Sequence, residues 1–195
     1  MGLRITLDSK TVEAAETEAR MRHEVSRGAG IVDRQIGRQS PMVTDLVGLL
    51  GEIGFGLMFD LKRDDTVEVR SGGVDFYGKD GTAIEVKSTH HKRPHLLVPA
   101  YAMPAGGHGT KEAIDVYALM RVDYQARAVD FLGWCGRGDL IREDRLQHFN
   151  GADRLSFVLP CTELKQFEPE VERALAEDAA ARGLQVSLTS DAPNV

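Results

Sequence analysis

Two carboxylates and one lysine stand close together in residues 72–88, which read GGVDFYGKDGTAIEVKS; they are Asp75, Glu85 and Lys87. A pair of carboxylates suits Mg²⁺, which takes one or two of them together with waters and phosphate oxygens. A lysine beside such an ion can orient or help deprotonate a water, or stabilise the charge that builds on phosphorus. The residue types therefore suit metal-assisted attack of water on a phosphodiester.

A hairpin between the two carboxylates would bring them together. Residues 78–82, GKDGT, are typical of a three-residue loop with a type I turn at Lys79 and Asp80 and a left-handed Gly81. A two-residue turn would instead shift the register by one and send the carboxylates to opposite faces. The three-residue loop predicts three facing pairs: Asp75 with Glu85, Gly73 with Lys87, and Phe76 with Ile84.

Strand alternation then divides the hairpin into an apolar face and a charged face, because side chains two residues apart share a face. Two opposed carboxylates with their Cβ atoms about 5 Å apart repel each other unless a cation lies between them. The charged face is therefore predicted to be a metal site and the other face to be core. The apolar face carries Val74, Phe76, Ile84 and Val86, and the charged face carries Asp75, Glu85 and Lys87.

The segments before the hairpin predict one strand and two helices. Residues 3–7 have the composition of a strand, and Asp8 or Ser9 is suited to cap a helix that runs to about residue 27. Ser40, followed by Pro41, predicts the start of an apolar helix that ends near residue 61. This second helix is expected to be mostly buried, yet it carries Glu52.

The remaining segments predict further strands and two more helices. Short apolar runs at 66–69, 113–123, 128–136 and 154–159 are typical of strands. A short helix is expected over 139–149, and a last one over 162–182, interrupted by Pro169 and ended by Gly183 before a loose tail. The order of elements predicts an α/β fold, a central mixed sheet flanked by helices. We expect one domain over 1–195, with an N-terminal helical extension (1–38), a catalytic core (40–160), and a C-terminal helix and tail (161–195).

The spacing of Asp75 and Glu85-Val86-Lys87 resembles the D…(D/E)xK signature of the PD-(D/E)xK superfamily, the restriction-endonuclease-like nucleases. The resemblance covers residues 45–90 best. It implies that Asp75 and Glu85 bind the metal together with the backbone carbonyl of Val86, and that Lys87 serves the attacking water. Many members also carry a glutamate on a preceding helix, which Glu52 matches as a catalytic and metal-binding residue.

Within that superfamily, residues 71–89 resemble the core of archaeal-type Holliday junction resolvases. The chain continues for about a hundred residues beyond the motif, with a strand pair and a helix that those small enzymes do not share. No QxxxY motif follows Lys87, so a RecB-like or lambda-exonuclease-like nuclease is not supported.

The resemblance implies a restriction-endonuclease-like sandwich and a Mg²⁺-dependent deoxyribonuclease, with Mn²⁺ able to substitute. We expect an endonuclease that leaves 5'-phosphate ends and acts on DNA as a homodimer. One alternative is a structure-specific Holliday junction resolvase on the same fold. Another is a non-catalytic DNA-binding module that kept the nuclease fold, although the intact acids weigh against it.

The charge distribution predicts where DNA would bind. A net charge of -6 argues against a passive nucleic-acid coat. Residues 86–111, however, contain no Asp or Glu, whereas residues 161–195 carry seven acids against three bases. The expected DNA contacts lie in the acid-free stretch, with the histidines, His95 included, adding charge only below about pH 6.5. They are Lys92, Arg93, His90, His91 and Lys111.

Several other classes are excluded on composition and motif. No apolar run approaches the roughly 18 residues of a membrane span and no signal-peptide core is present, so a cytoplasmic protein without membrane contact is expected. The two cysteines, Cys135 and Cys161, form no CxxC pair and are expected to be reduced and structural. The histidines near residue 90 lack a zinc-finger spacing, and residues 106–112 lack the order of a phosphate loop. No nucleotide cofactor is expected.

Overall fold

The computed structural model describes residues 2–28, 40–63, 74–100, 114–149 and 155–189. Within these ranges the chain forms four helices and nine strands. In chain order they are β1 (Gly2–Thr6), α1 (Ser9–Gly28), α2 (Pro41–Phe59), β2 (Phe76–Tyr77), β3 (Ala83–Thr89), β4 (His95–Pro99), β5 (Val116–Asp123), β6 (Ala128–Gly136), α3 (Arg137–Leu140), β7 (Leu146–His148), β8 (Leu155–Pro160), α4 (Pro169–Ala181) and β9 (Gln185–Thr189).

The strands form two sheets. The larger has six strands in the order β2-β3-β5-β6-β1-β9, and the smaller has three in the order β4-β8-β7. β3 and β5 run parallel, and the other neighbours in both sheets run antiparallel. The predicted α/β class with a mixed sheet is confirmed.

The two faces of the large sheet carry different layers. One face packs against α1, α2 and α4, and its core includes Ile5, Phe76, Val86 and Met120. The other face packs mainly against the small sheet, with a core that includes Leu96, Tyr117, Leu119 and Leu159. The prediction of a sheet flanked by helices therefore holds for one face. In the described part of the chain, a second sheet and the short α3 cover the other.

The start signals of the first two helices act as the sequence predicts. The Asp8 carboxylate accepts a hydrogen bond from the N–H of Thr11 at 2.7 Å and caps α1. The Ser40 hydroxyl accepts from the N–H of Val43, and Pro41 opens α2. α2 ends at Asp60, which adopts a left-handed conformation with φ of 52°.

α2 is the central helix of the helical layer and contacts α1, α4 and three strands of the large sheet. Its buried residues include Leu49, Leu50, Phe55 and Met58. By length and composition alone it is also apolar enough to cross a membrane, which the sequence prediction did not anticipate. Core helices of this kind pass the same test.

Both terminal segments belong to the large sheet. β1 lies between β6 and β9, with Leu3 and Ile5 almost fully buried. β9 forms an edge of the same sheet at residues where a loose tail was predicted. The expected division into an extension (1–38), a core (40–160) and a C-terminal helix and tail (161–195) stays a prediction, although Gly2–Thr6 and Gln185–Thr189 each supply a strand of the large sheet.

Three further predictions need correction. Over 139–149 the chain forms the short α3, a 3-10 turn at Glu143–Arg145 and β7, instead of one helix. Pro169 begins α4 instead of interrupting it, since proline is tolerated in the first turn of a helix. β4 was not predicted. The predicted strand at 66–69 and the loop at 106–112 lie outside the described residues.

Candidate active site

The hairpin formed by β2 and β3 has the predicted register. Phe76 pairs with Ile84, and Tyr77 pairs with Ala83. Beyond Phe76 the pairing shifts by one residue, because the N–H of Asp75 donates to the carbonyl of Ile84. The predicted direct pairing of Asp75 with Glu85 is therefore corrected, and the described ladder ends at Phe76. The predicted facing of Gly73 and Lys87 lies outside the described residues.

The loop that fixes this register closes at the predicted residues. The N–H of Gly78 donates to the carbonyl of Thr82 at 2.8 Å, and the N–H of Gly81 donates to the carbonyl of Gly78 at 2.9 Å. Gly81 has φ of 86°, a left-handed conformation that glycine adopts without the steric cost of a Cβ. Asp80 accepts from the N–H of Thr82 at 3.0 Å.

Asp75 lies at the edge of β3 that, beyond Ile84, pairs with no other strand in the described part of the chain. Its N–H donates to the carbonyl of Ile84 at 3.0 Å, and its Oδ2 accepts from the N–H of Val86 at 2.8 Å. The carboxylate therefore occupies the position where a longer β2 would continue the ladder. The predicted alternation through Asp75 is corrected, because regular strand ends at Phe76. Val74 accordingly packs against the core on the small-sheet side, not with Phe76.

The backbone carbonyl of Val86 points toward the same edge. The N–H and C=O of one strand residue point to the same side, and the N–H of Val86 bonds to Asp75. The other side of β3 is occupied by β5. The carbonyl and the Asp75 carboxylate are thus on the same side of β3, and their shared binding of a metal stays a prediction.

Glu85 and Lys87 form an ion pair through Oε1 and Nζ. Across the parallel ladder they neighbour Tyr117 and Leu119, which belong to the core on the small-sheet side. Their side chains remain 19% and 33% exposed, respectively. The side chains of Glu85 and Lys87 lie on one face, as predicted, and both remain reachable from solvent.

The carboxyl group of Asp75 is strongly perturbed. Burial, then the negative charge of Glu52 and to a smaller extent that of Glu85, raise its pKa from 3.8 to about 7. The charge of Lys87 and the hydrogen bond from Val86 oppose this shift. A carboxylate with a raised pKa beside other acids lacks compensating positive charge, which a proton or a divalent cation can supply.

Lys87 is held in its charged form. Burial by itself lowers its pKa, but the charges of Glu85, Asp75 and Glu52 outweigh burial and raise it. Lys87 is therefore a cation and a hydrogen-bond donor, not a base. A role in stabilising negative charge fits this state directly.

Glu52 lies near the site but is bound to arginines. Its Oε2 is 3.6 Å from Nη1 of Arg22 and 3.9 Å from Nη1 of Arg63. Arg63 also binds Glu18 through two hydrogen bonds of 2.8 Å, and Arg22 binds the same carboxylate at 2.7 Å. Glu52 thus faces Asp75 closely enough to raise its pKa while two guanidinium groups hold it.

A three-carboxylate metal site is not assembled in the described residues, where no group of three or more His, Cys, Asp or Glu side chains is placed to hold a metal ion. The groups that fit a divalent cation are the carboxylates of Asp75 and Glu85 and the carbonyl of Val86. This set matches the preference of Mg²⁺ for one or two carboxylates with waters. Glu52 acts on Asp75 electrostatically, and its predicted role as a metal ligand stays a prediction.

The predicted DNA-binding residues that can be placed lie between β3 and β4. His90, His91, Lys92 and Arg93 are exposed there, and the two imidazole rings lie 4.4 Å apart. Burial and the neighbouring His91 lower the pKa of His90, so its positive charge requires acidic pH. Lys111 lies outside the described residues.

Four residues near the site were missed by the sequence reasoning. Arg22 and Arg63 hold Glu52, but they are distant in sequence and only the packing of α1 on α2 brings them together. Tyr117 neighbours Glu85 through the parallel pairing of β3 with β5. Arg137, at the start of α3, acts electrostatically on Tyr117. No local pattern could reveal Tyr117 and Arg137, because strand pairing across a long connection places them.

Comparison of the chain with protein-family models, with curated proteins and with solved structures finds no match.

Proposed function

We propose that this protein is a metal-dependent nuclease of the PD-(D/E)xK type, with a restriction-endonuclease-like fold, that hydrolyses DNA phosphodiester bonds. The observation that carries the proposal is the edge of β3, where the Asp75 carboxylate, the Val86 backbone and Glu85 meet beside Lys87. A merely structural edge has no need of two neighbouring acids, one with its pKa raised to about 7. Mg²⁺, or Mn²⁺ in its place, is the ion that this donor set suits.

The chain's own residues divide the work as follows. Asp75, Glu85 and the Val86 carbonyl would hold the cation, which when bound supplies Lewis-acid stabilisation of the phosphate and activation of water. Lys87 keeps its proton and donates to a phosphate oxygen or to the attacking water, orienting it and stabilising the developing charge. Glu52, held by Arg22 and Arg63, accepts a hydrogen bond from a water on the helix side.

The first test removes the charges while preserving volume. Asp75→Asn and Glu85→Gln should each abolish cleavage of plasmid and linear DNA in Mg²⁺ or Mn²⁺, because each removes one of the two carboxylates that would hold the ion. Lys87→Ala should also lose most activity, yet it should still bind Mn²⁺ in titration calorimetry. Circular dichroism checks that each variant remains folded. Normal cleavage by Asp75→Asn would show that the site has been misassigned.

A Holliday junction resolvase on the same fold is the second candidate, favoured by the resemblance of residues 71–89. Parallel assays with four-way junctions and with linear duplexes of the same sequence separate the two enzymes. A resolvase cuts the junction and spares the duplex. Metal-independent binding without any cleavage would instead support a non-catalytic DNA-binding module.

The proposed enzyme has one site per chain, and cutting both strands of a duplex then calls for two chains. A homodimer is therefore part of the proposal. Sedimentation of the protein with and without duplex DNA tests it, and a monomer under both conditions would favour nicking of one strand.

A further inference from the structure

Arg137 lies two strands away from Glu85, at the end of a row that crosses the large sheet. Its N–H donates to the carbonyl of Asp115 at 2.8 Å, and the N–H of Asp115 donates to the carbonyl of Ala83 at 2.9 Å. Ala83 is two residues before Glu85 on β3. Two strand spacings correspond to about 10 Å. An arginine side chain starting from this position can approach the region of the carboxylates.

Tyr117 lies between Arg137 and Glu85. It pairs with Glu85 on one side and with Cys135 on the other. Burial, followed by the negative charge of Glu85, raises the pKa of the Tyr117 phenol to about 12, while the positive charge of Arg137 lowers it. The phenol thus experiences both charges, which agrees with the strand geometry in placing Arg137 and Glu85 on its two sides.

Arg137 differs from the other partly buried arginines in lacking a carboxylate partner in the described part of the chain. Among the residues that the structure describes, two acids lie near it in the fold, and both are engaged elsewhere. Asp139 binds Lys165 at 2.7 Å and the N–H of Gly136 at 3.2 Å, and Asp115 accepts from the N–H of Ala83 at 2.9 Å. The partly buried arginines that do bind carboxylates are Arg4, Arg22, Arg63, Arg121 and Arg145.

A partly buried guanidinium without a counter-ion retains donors for a ligand. Its planar fork matches two oxygens of a phosphate better than any other side chain does. A substrate polyanion beside Asp75 and Glu85 needs local positive charge, because the protein as a whole carries -6. The segment that opens α3 provides that charge across Tyr117 from the acids.

We infer that Arg137 binds a backbone phosphate of the nucleic acid next to the site formed by Asp75, Glu85 and Lys87. This inference rests on the proposed function and extends it to a residue outside the D…ExK motif. It also sets the path of the substrate. The nucleic-acid strand runs over the end of the large sheet where β3 and β5 begin and β6 ends. Tyr117 lies beneath this path.

The test compares Arg137→Gln and Arg137→Lys with a control, Arg142→Gln. Arg142 lies on the same segment, is 52% exposed and binds Asp144. Binding of a fluorescein-labelled duplex and a four-way junction is followed by anisotropy in Ca²⁺ over a series of salt concentrations, and cleavage is followed in Mg²⁺. Thermal melts check folding.

Arg137→Gln should weaken binding about tenfold, lower the log-affinity against log-salt slope by about one unit and slow cleavage about a hundredfold. Arg137→Lys should keep the slope but lose part of the affinity, and Arg142→Gln should stay within about twofold of the parent. Should the glutamine variant not fold, the lysine variant decides by the same two measurements.

The outcomes distinguish the two proposals. A parent protein that binds and cleaves DNA, with Arg137 variants that match it in affinity, slope and rate, would overturn the role of Arg137 alone. A parent that neither binds nor cleaves either substrate would overturn the proposed function, and the inference with it.

Discussion

At the scale of single residues, the site combines carboxylates that repel one another with a lysine that only partly compensates them. The effect is largest at Asp75, because burial and then the charges of Glu52 and Glu85 raise its pKa to about 7. Repulsion of this kind between the charges of a binding site lowers the stability of the fold, and a bound cation would remove it. Metal affinity and stability should therefore change in opposite directions when Asp75 is neutralised.

The pH dependence of stability tests this directly. Because the pKa of Asp75 in the folded protein exceeds 3.8, the folded state binds this proton more tightly than the unfolded state does. The stabilising contribution is complete below about pH 3.8 and is lost as the pH rises through about 7. In EDTA, the Tm of the parent should therefore fall between pH 5 and pH 8 relative to that of Asp75→Asn.

The same melts supply the control. Mg²⁺ at pH 8 should raise the Tm of the parent and leave that of Asp75→Asn nearly unchanged, because a ligand stabilises only the state that binds it. Parallel pH curves for the two proteins, with equal responses to Mg²⁺, would contradict the electrostatic account of the site.

At the scale of elements, the position of Glu52 depends on how closely α2 approaches β3. A Cβ added at Gly51 would lie 1.9 Å from the Oγ and 2.7 Å from the Cβ of Ser88, whereas one added at Gly48 would meet nothing within 4 Å. Ser88 also donates to the carbonyl of Gly48 at 3.5 Å. The helix therefore rests on the strand through Gly51, one residue before the acid.

Gly51→Ala should lower the free energy of unfolding by about 1–3 kcal/mol, because the strand has no room for the methyl group. It should also reduce cleavage by moving Glu52 away from Asp75. Gly48→Ala is the matched control on the same helix and should be neutral or stabilising by up to about 1 kcal/mol, since alanine favours the helix. Urea titrations of both variants measure the difference, and equal stabilities would contradict the close packing of α2 on β3.

At the scale of the whole molecule, β1 and β9 extend the large sheet beyond β6. A fragment of residues 40–160 lacks β1 and β9 and exposes the edge of β6, against which Leu3 and Ile5 of the intact chain are buried to 1% and 0% exposure. We expect this fragment to be unfolded or aggregated, as judged by circular dichroism and sedimentation, while the full chain melts cooperatively. A fragment that folds and cleaves DNA would show that the core stands alone.

The net charge leads to a second prediction about the whole molecule, which concerns DNA binding. A protein of net charge -6 must gather cations where it holds a polyanion, and Lys92 and Arg93 are exposed just beyond the strand of the site. Changing both to alanine should weaken DNA binding similarly across sequences and flatten the salt slope by up to about two units. The control is Arg173→Ala, which changes an exposed residue of α4 and should leave the salt slope unchanged.

The features that were predicted correctly are those that short-range interactions control. The GKDG loop selects one turn, and the turn fixes the register in which Phe76 pairs with Ile84 and Tyr77 with Ala83. Ser40 and Pro41 likewise set the start of α2. These features depend on residues a few positions apart, so the chain encodes them locally. Where the local pattern was weak, as in the short strands β4, β7 and β9, the prediction failed, because pairing with distant strands stabilises them.

The neighbours that distant segments bring to the site could be identified only from the folded structure. The short length of β2 leaves the Asp75 carboxylate at the edge of β3. The packing of α1 on α2 sets Arg22 against Glu52. The parallel neighbour of β3, which brings Tyr117 and Arg137 to the site, is separated from it by a long connection. The entropy of closing such a connection is offset by burial summed over many residues, and no single motif contains that sum.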